Sequence, residues 1–111
     1  MELTFQTRAS GAWTIVGVAG ELDLHTSPQL ASAISGAVDA GAVWLALDLS
    51  QVPFMDSSSL GVVVASLKRV REKGGDMALI GLQGSPAKVM RLTGLDSIFL
   101  VIAEESELPS P

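Results

Sequence analysis

Residues 43–61 read VWLALDLSQVPFMDSSSLG. The first seven are apolar apart from Asp48, which suits a strand at the centre of a sheet, covered on both faces, better than an exposed edge. After Pro53, Phe54 and Met55 comes DSSSLG, where Asp56 or a following serine can accept from first-turn N–H groups, so a helix is predicted from here to about residue 73. Leu60, Val63, Val64, Leu67 and Val70 recur at three and four and form its buried face. Lys68, Arg69, Arg71 and Lys73 fall in the last turns, where cations suit the helix dipole, and Gly74-Gly75 ends the helix. Residues 76–81, DMALIG, are a further short apolar strand, and two strands joined by one helix imply a parallel crossover.

Working outward toward the start, residues 13–19 (WTIVGVA) are rich in β-branched side chains and read as a strand. Residues 3–8 alternate with period two, and the Ser10-Gly11 turn makes the pair an antiparallel hairpin. Gly20 breaks the second strand. A helix is predicted from Thr26 or Ser27, with Pro28 in its first turn and Leu30, Ala33, Ile34, Ala37 and Val38 on one face, to Ala40-Gly41. Toward the end, Ser85-Pro86 starts a helix running to Thr93-Gly94, and residues 98–102 (IFLVI) form a last strand. Residues 104–111 are an acidic, proline-ended tail expected to fray. The fold class is therefore α/β: one domain over residues 1–111 with its core in 3–103. It has a mixed sheet of about five strands, right-handed parallel β-α-β crossovers, and helices packed on the sheet.

Composition limits the function. The chain has 111 residues, 48% of them hydrophobic and 17% charged, which excludes a disordered acidic chain because the apolar surface suffices to offset ordering entropy. Seven basic against twelve acidic residues give a net charge of −5, so no general basic field exists for nucleic acid. No stretch approaches the ~18 apolar residues of a membrane span. The start, MELTFQTR, lacks a basic region followed by an apolar one, so no secretory signal is expected. The absence of cysteine removes disulfides, thiol catalysis and cysteine metal sites. A cytoplasmic protein is the expectation.

Catalysis is not expected, and neither a metal nor a cofactor is. His25 is the single histidine, no G-x-S-x-G elbow is present to make Ser57 a hydrolase nucleophile, and the acidic residues are spread along the chain. Neither G-x-x-x-x-G-K-[ST] nor G-x-G-x-x-G occurs. What stands out is Asp56-Ser57-Ser58-Ser59, since three hydroxyls exceed what one N-cap uses. Taken alone it is either a capping sequence or a regulatory site. A helix start tolerates an added anion, so a phosphate there would change the surface charge without unfolding the domain. Gly20-Glu21-Leu22-Asp23 comes after the second strand as DSSS comes after the third. If those strands are parallel, both acidic segments share one edge. Alone, Glu21 and Asp23 can equally solvate a turn and cap a helix.

Together, GELDLHTSPQL and the run from LDLSQVPFMDSSSLG through GGDMALIG and TGLDSIFLV resemble the STAS domain of bacterial anti-sigma factor antagonists, over residues 13–103. The resemblance implies a small cytoplasmic α/β domain that binds an anti-sigma factor with serine protein kinase activity, releases a sigma factor and so regulates transcription. The kinase phosphorylates the serine after the aspartate, which breaks the complex, and a serine phosphatase restores it. Carried over, the phosphoacceptor is Ser57, with Ser58 the second choice, and Glu21, Asp23, Asp56, Ser57, Ser58 and Ser59 are the partner-binding residues. Ser59 stands where the family has Gly or another small residue, and the family's final helix is missing, since EESELPSP offers barely one turn. That shortfall leaves the last strand less covered, or leaves room for a dimer; a monomer or weak dimer is expected. Apart from Arg8, the basic residues all lie between Lys68 and Arg91, so the first 67 residues, which carry both motifs, are strongly acidic. The alternative role is a scaffold subunit of a larger stress-signalling assembly that uses the fold without reversible phosphorylation.

Overall fold

The computed structural model describes residues 3–111. In chain order it contains β1 (Thr4–Ser10), β2 (Trp13–Ala19), α1 (Ser27–Asp39), β3 (Trp44–Gln51), α2 (Leu60–Glu72), β4 (Asp76–Ile80), α3 (Gly84–Leu92) and β5 (Leu100–Ile102). Single 3-10 turns span Ser57–Ser59, Leu95–Ser97 and Glu105–Glu107. The sheet order is β1-β2-β3-β4-β5, with β1 antiparallel to β2 and every later pair parallel. This is the expected α/β architecture. No helix among the described residues is long and apolar enough to cross a membrane.

Because the strands are ordered in space as in sequence, crossovers of a single hand bring all three helices to one face. Val16, Val18, Leu45, Leu47, Leu49, Met77 and Leu79 point to that face and meet Leu30, Ile34 and Val38 of α1, Val63, Leu67 and Val70 of α2, and Met90 of α3. β3 is buried on both faces, but helices cover only one of them. On the other face Trp13, Ile15, Ala46, Ala78 and Ile80 form a smaller apolar cluster with Trp44, Leu100, Ile102 and Leu108. The Trp13 and Trp44 rings pack edge to face there, with centroids 5.6 Å apart.

The tail, expected to fray, closes part of this second face. Its one turn is held by a capping box between Glu104 and Glu107. Trp13 Nε1 donates to the Pro109 carbonyl at 2.8 Å, Arg8 pairs with Glu105, and Leu108 packs on the second cluster. A tail frays where it lacks such anchors, and this one finds an indole donor and a guanidinium. The last strand is also shorter than the predicted 98–102. A 3-10 turn carries the chain through Ile98, whose N–H donates to the Leu95 carbonyl at 3.1 Å, and turns Phe99 into the helix-side core. Val101 remains 41% exposed.

One irregularity positions the functional loops. Gly17 pairs with Asp48 but Ala19 pairs with Gln51, so β3 carries an extra residue relative to β2. Asp48 Oδ1 takes up the displaced Ser50, accepting from its backbone N–H at 3.0 Å and its hydroxyl at 2.7 Å. A bulge of this kind bends the strand and re-aims the loop beyond it.

Two glycines close α2 for different reasons. Gly74 has φ +85°, the left-handed conformation that ends helices. Gly75 is required for space, because a Cβ there would lie 1.7 Å from the Val43 carbonyl oxygen. Gly75→Ala must therefore push the start of β4 away from the start of β3. The expected loss is at least about 1–3 kcal/mol in denaturant unfolding, whereas an unchanged midpoint would contradict this packing.

Candidate functional site

The parallel pairing of β2 and β3 continues past the strand ends. Gly20 N–H donates to the Gln51 carbonyl at 3.2 Å and Leu22 N–H to the Phe54 carbonyl at 3.0 Å. Asp56 N–H donates to the Leu22 carbonyl at 3.0 Å, so Leu22 and Met55 form a parallel bridge. Leu22 and Met55 are both fully buried and anchor their loops in the core. The acidic loop after β2 and the serine loop after β3 thus share one edge of the sheet. The first turn of α3 adds a third tie. Ser85 Oγ lies 3.2 Å from the Met55 N and 3.3 Å from its carbonyl oxygen, accepting from one and donating to the other. In the sequence Ser85 reads only as a helix start; its reach to a loop 30 residues earlier has no local signal.

The loop from Gly20 to α1 is held by its own side chains. Asp23 Oδ1 accepts from the backbone N–H groups of His25 at 2.9 Å and Thr26 at 3.0 Å. Thr26 Oγ1 accepts from Asp23 N–H at 2.9 Å and donates to the Glu21 carbonyl at 2.8 Å. Thr26 is the N-cap residue of α1 but makes no side-chain cap; its hydroxyl is spent on the loop. The Thr26 N–H, with further help from His25, holds the Asp23 carboxyl below the usual carboxylate range.

The three serines occupy three different environments. Ser57 is exposed. Ser58 is half-buried, and Asp56 Oδ1 accepts both its backbone N–H at 2.9 Å and its hydroxyl. Ser59 is fully buried and its Oγ has no hydrogen-bond partner. Ser59 was expected among the partner-binding residues, but its side chain faces the interior, because the turn of 3-10 helix before α2 rotates the third hydroxyl inward. Asp56 is the N-cap of that turn, so the capping reading holds for Asp56, and the Ser57 side chain takes no part in the cap.

Glu21, Asp23, Asp56, Ser57 and Ser58 are all brought to this edge. Among the described residues no group of three or more His, Cys, Asp or Glu is placed to hold a metal ion. A surface groove of about 680 Å³ is lined by Thr4, Gly20, Ser50, Gln51, Pro53 and Gln83 among others, and Ser57, Ser58 and Ser59 do not line it. Ser57 is exposed outside that groove.

Both the buried serine and the loop carboxylate are open to measurement. A buried unpaired hydroxyl costs roughly 1–3 kcal/mol, so Ser59→Ala should raise stability by about 1 kcal/mol in denaturant unfolding. A loss of that size would mean the hydroxyl is paired. Because the fold lowers the Asp23 pKa, the charged form contributes stability above the unfolded-state value, about 3.9. That contribution disappears as pH falls through the lowered folded value. An NMR titration should find the Asp23 midpoint below about 3.9, and Asp23→Asn should remove part of the acid-side loss of stability. A midpoint at or above the ordinary value would contradict the loop's hydrogen bonding.

The STAS domain family model matches residues 4–108. The chain is 33% identical over 91 residues to the anti-sigma-B factor antagonist of Listeria monocytogenes, covering 82% of this chain and 80% of that one. Among solved structures it is similar to an anti-sigma factor antagonist from Mycobacterium paratuberculosis, with a TM-score of 0.87, 26% identity, and coverage of 96% of this chain and 90% of that one. It is also similar to the Bacillus cell fate determinant SpoIIAA in its phosphorylated form, with a TM-score of 0.71, 27% identity, and coverage of 94% and 95%. With the family model matching nearly the whole chain and these similarities beside it, the chain belongs to the STAS domain family.

Proposed function

We propose that this protein is an anti-sigma factor antagonist without catalytic activity of its own, working in the cytoplasm as a monomer or weak dimer. It docks on an anti-sigma factor that is also a serine protein kinase, freeing the sigma factor for transcription. The observation that carries this reading is the position of Ser57: of three consecutive serines it alone is exposed, at the edge where the two acidic loops meet. The named relatives, two of them anti-sigma factor antagonists and one described in a phosphorylated form, support it.

The switch is chemically simple. Ser57 Oγ attacks the γ-phosphorus of ATP in the kinase, the bond to the bridging oxygen breaks, ADP leaves and the hydroxyl proton is lost. A phosphatase uses water to cleave the phosphoester, returning the hydroxyl and releasing inorganic phosphate. Phosphoserine carries about −1.5 to −2 charges at neutral pH. The carboxylates at this edge call for basic groups on the partner, but those groups are matched to Glu21 and Asp56 and to a neutral hydroxyl at Ser57. A phosphate in that place adds bulk and a dianion that must be desolvated without a cation of its own, which opposes docking. Since it sits at the start of a turn leading into α2, the fold can hold it.

The test is to incubate the protein with the kinase and ATP and locate the phosphate by mass spectrometry. Phosphate on Ser57 is expected; phosphate on Ser58 or Ser59 with Ser57 bare would overturn the assignment. Ser57→Ala should remain bound in the presence of ATP, and Ser57→Asp should bind weakly. A large assembly whose composition is unaffected by Ser57→Asp would instead identify the scaffold role.

A further inference from the structure

Five large apolar residues are exposed among the described residues: Leu24, Phe54, Leu92, Ile98 and Val101. Singly scattered apolar residues are ordinary on a surface. Leu24 and Phe54 differ from the rest because they sit on the two loops laced together beside Ser57, at 72% and 42% exposure. Phe54 donates no side-chain bond, but its backbone carbonyl accepts the Leu22 N–H and fixes its place next to the acidic loop. Met55 turns inward, which leaves Phe54 and Asp56 on either side of it directed outward along the extended segment. Leu24 stands at the corner of the turn whose next residues are tied to Asp23. Besides the Asp23 carboxylate bonds to His25 and Thr26, Ser27 N–H donates to the Asp23 carbonyl at 2.9 Å. An exposed leucine is thus presented on a backbone that is already fixed, so docking orders little further chain there.

We infer that Leu24 and Phe54 are the apolar anchors of the docking surface, and that Asp23 is a positioning residue whose carboxylate builds the turn presenting Leu24. This rests on the docking proposed above and adds which side chains carry the binding energy. The surface carries these two exposed apolar side chains on the same two bridged loops that carry Glu21, Asp56 and Ser57. It fits one kind of partner face: an apolar depression on the anti-sigma factor edged by lysine or arginine. Interfaces of this form draw most of their affinity from a few desolvated apolar side chains, while rim charges mainly set the encounter rate.

The experiment measures association and dissociation rates of the full chain and its variants on the anti-sigma factor at two salt concentrations, with thermal unfolding of each variant alongside. Leu24→Ala and Phe54→Ala should each speed dissociation about tenfold or more, at unchanged melting temperature and unchanged salt dependence. Glu21→Gln should slow association and flatten the salt dependence. Asp23→Ala should behave as Leu24→Ala does, while Asp23→Asn, which keeps a side-chain oxygen to accept the two N–H groups, should retain a near-normal dissociation rate. Leu92→Ala, an exposed leucine on the last turn of α3, should leave every rate unchanged. If the parent chain binds and its binding responds to Ser57 phosphorylation, but Leu24→Ala and Phe54→Ala dissociate at the parent rate, the anchor assignment is overturned and the docking reading stands. Equal losses in Asp23→Asn and Asp23→Ala would overturn the positioning role. A parent chain that does not bind overturns both this inference and the docking on which it rests.

Discussion

Everything at the candidate site depends on backbone hydrogen bonds that carry the β2–β3 pairing beyond the ends of the strands. Without the bridge between Leu22 and Met55, the loops carrying the carboxylates and the serines would be independent surface segments, each free to move alone. The bridge is possible because β2 and β3 are parallel neighbours, so both chains leave the sheet in the same direction. It is in register because β3 spends one extra residue at Ser50, with Asp48 satisfying the displaced backbone. Buried Leu22 and Met55 then fasten both loops to the core, and Ser85 ties the second loop to α3.

This arrangement separates tasks that adjacent residues could otherwise confuse. Asp56 holds the turn through Ser58, Ser59 is consumed by the interior, and Ser57 is left as the hydroxyl at the surface. Asp23 is similarly committed to its own loop, whereas the Leu24 side chain beyond it is left exposed. Structural work and surface presentation alternate residue by residue, so a charge added at Ser57 alters what a partner meets without removing a bond the fold uses. Two of the basic residues are occupied elsewhere in the fold: Arg69 pairs with Asp39 and Arg71 with Asp76.

Much of this is legible in the sequence where local pattern and tertiary role coincide. The β-branched run delimits β2 to the residue, and the shared edge of GELD and DSSS comes from the strand–helix–strand order alone. What escapes is non-local. The apolar run in β3 implies cover on both faces, and both faces are covered, but nothing in VWLALDL distinguishes a second helical layer from two tryptophans and a folded-back tail. The tail itself reads as loose because its anchors, Arg8 and Trp13, lie about a hundred residues earlier. Asp48 stands out only as a lone charge in an apolar strand, yet the Asp-x-Ser spacing to Ser50 is a usable sign of a side chain folding back on its own backbone. Three identical serines cannot be ranked by exposure from sequence, since only the turn geometry decides which hydroxyl points out.

The central claim is that a phosphate on Ser57 changes the surface and leaves the fold alone. Calorimetric titration of the anti-sigma factor with the unmodified protein and with the protein phosphorylated on Ser57 tests it most directly. The account predicts at least about a tenfold weaker complex after phosphorylation, which is roughly 1.4 kcal/mol. Equal dissociation constants for the two forms would contradict it.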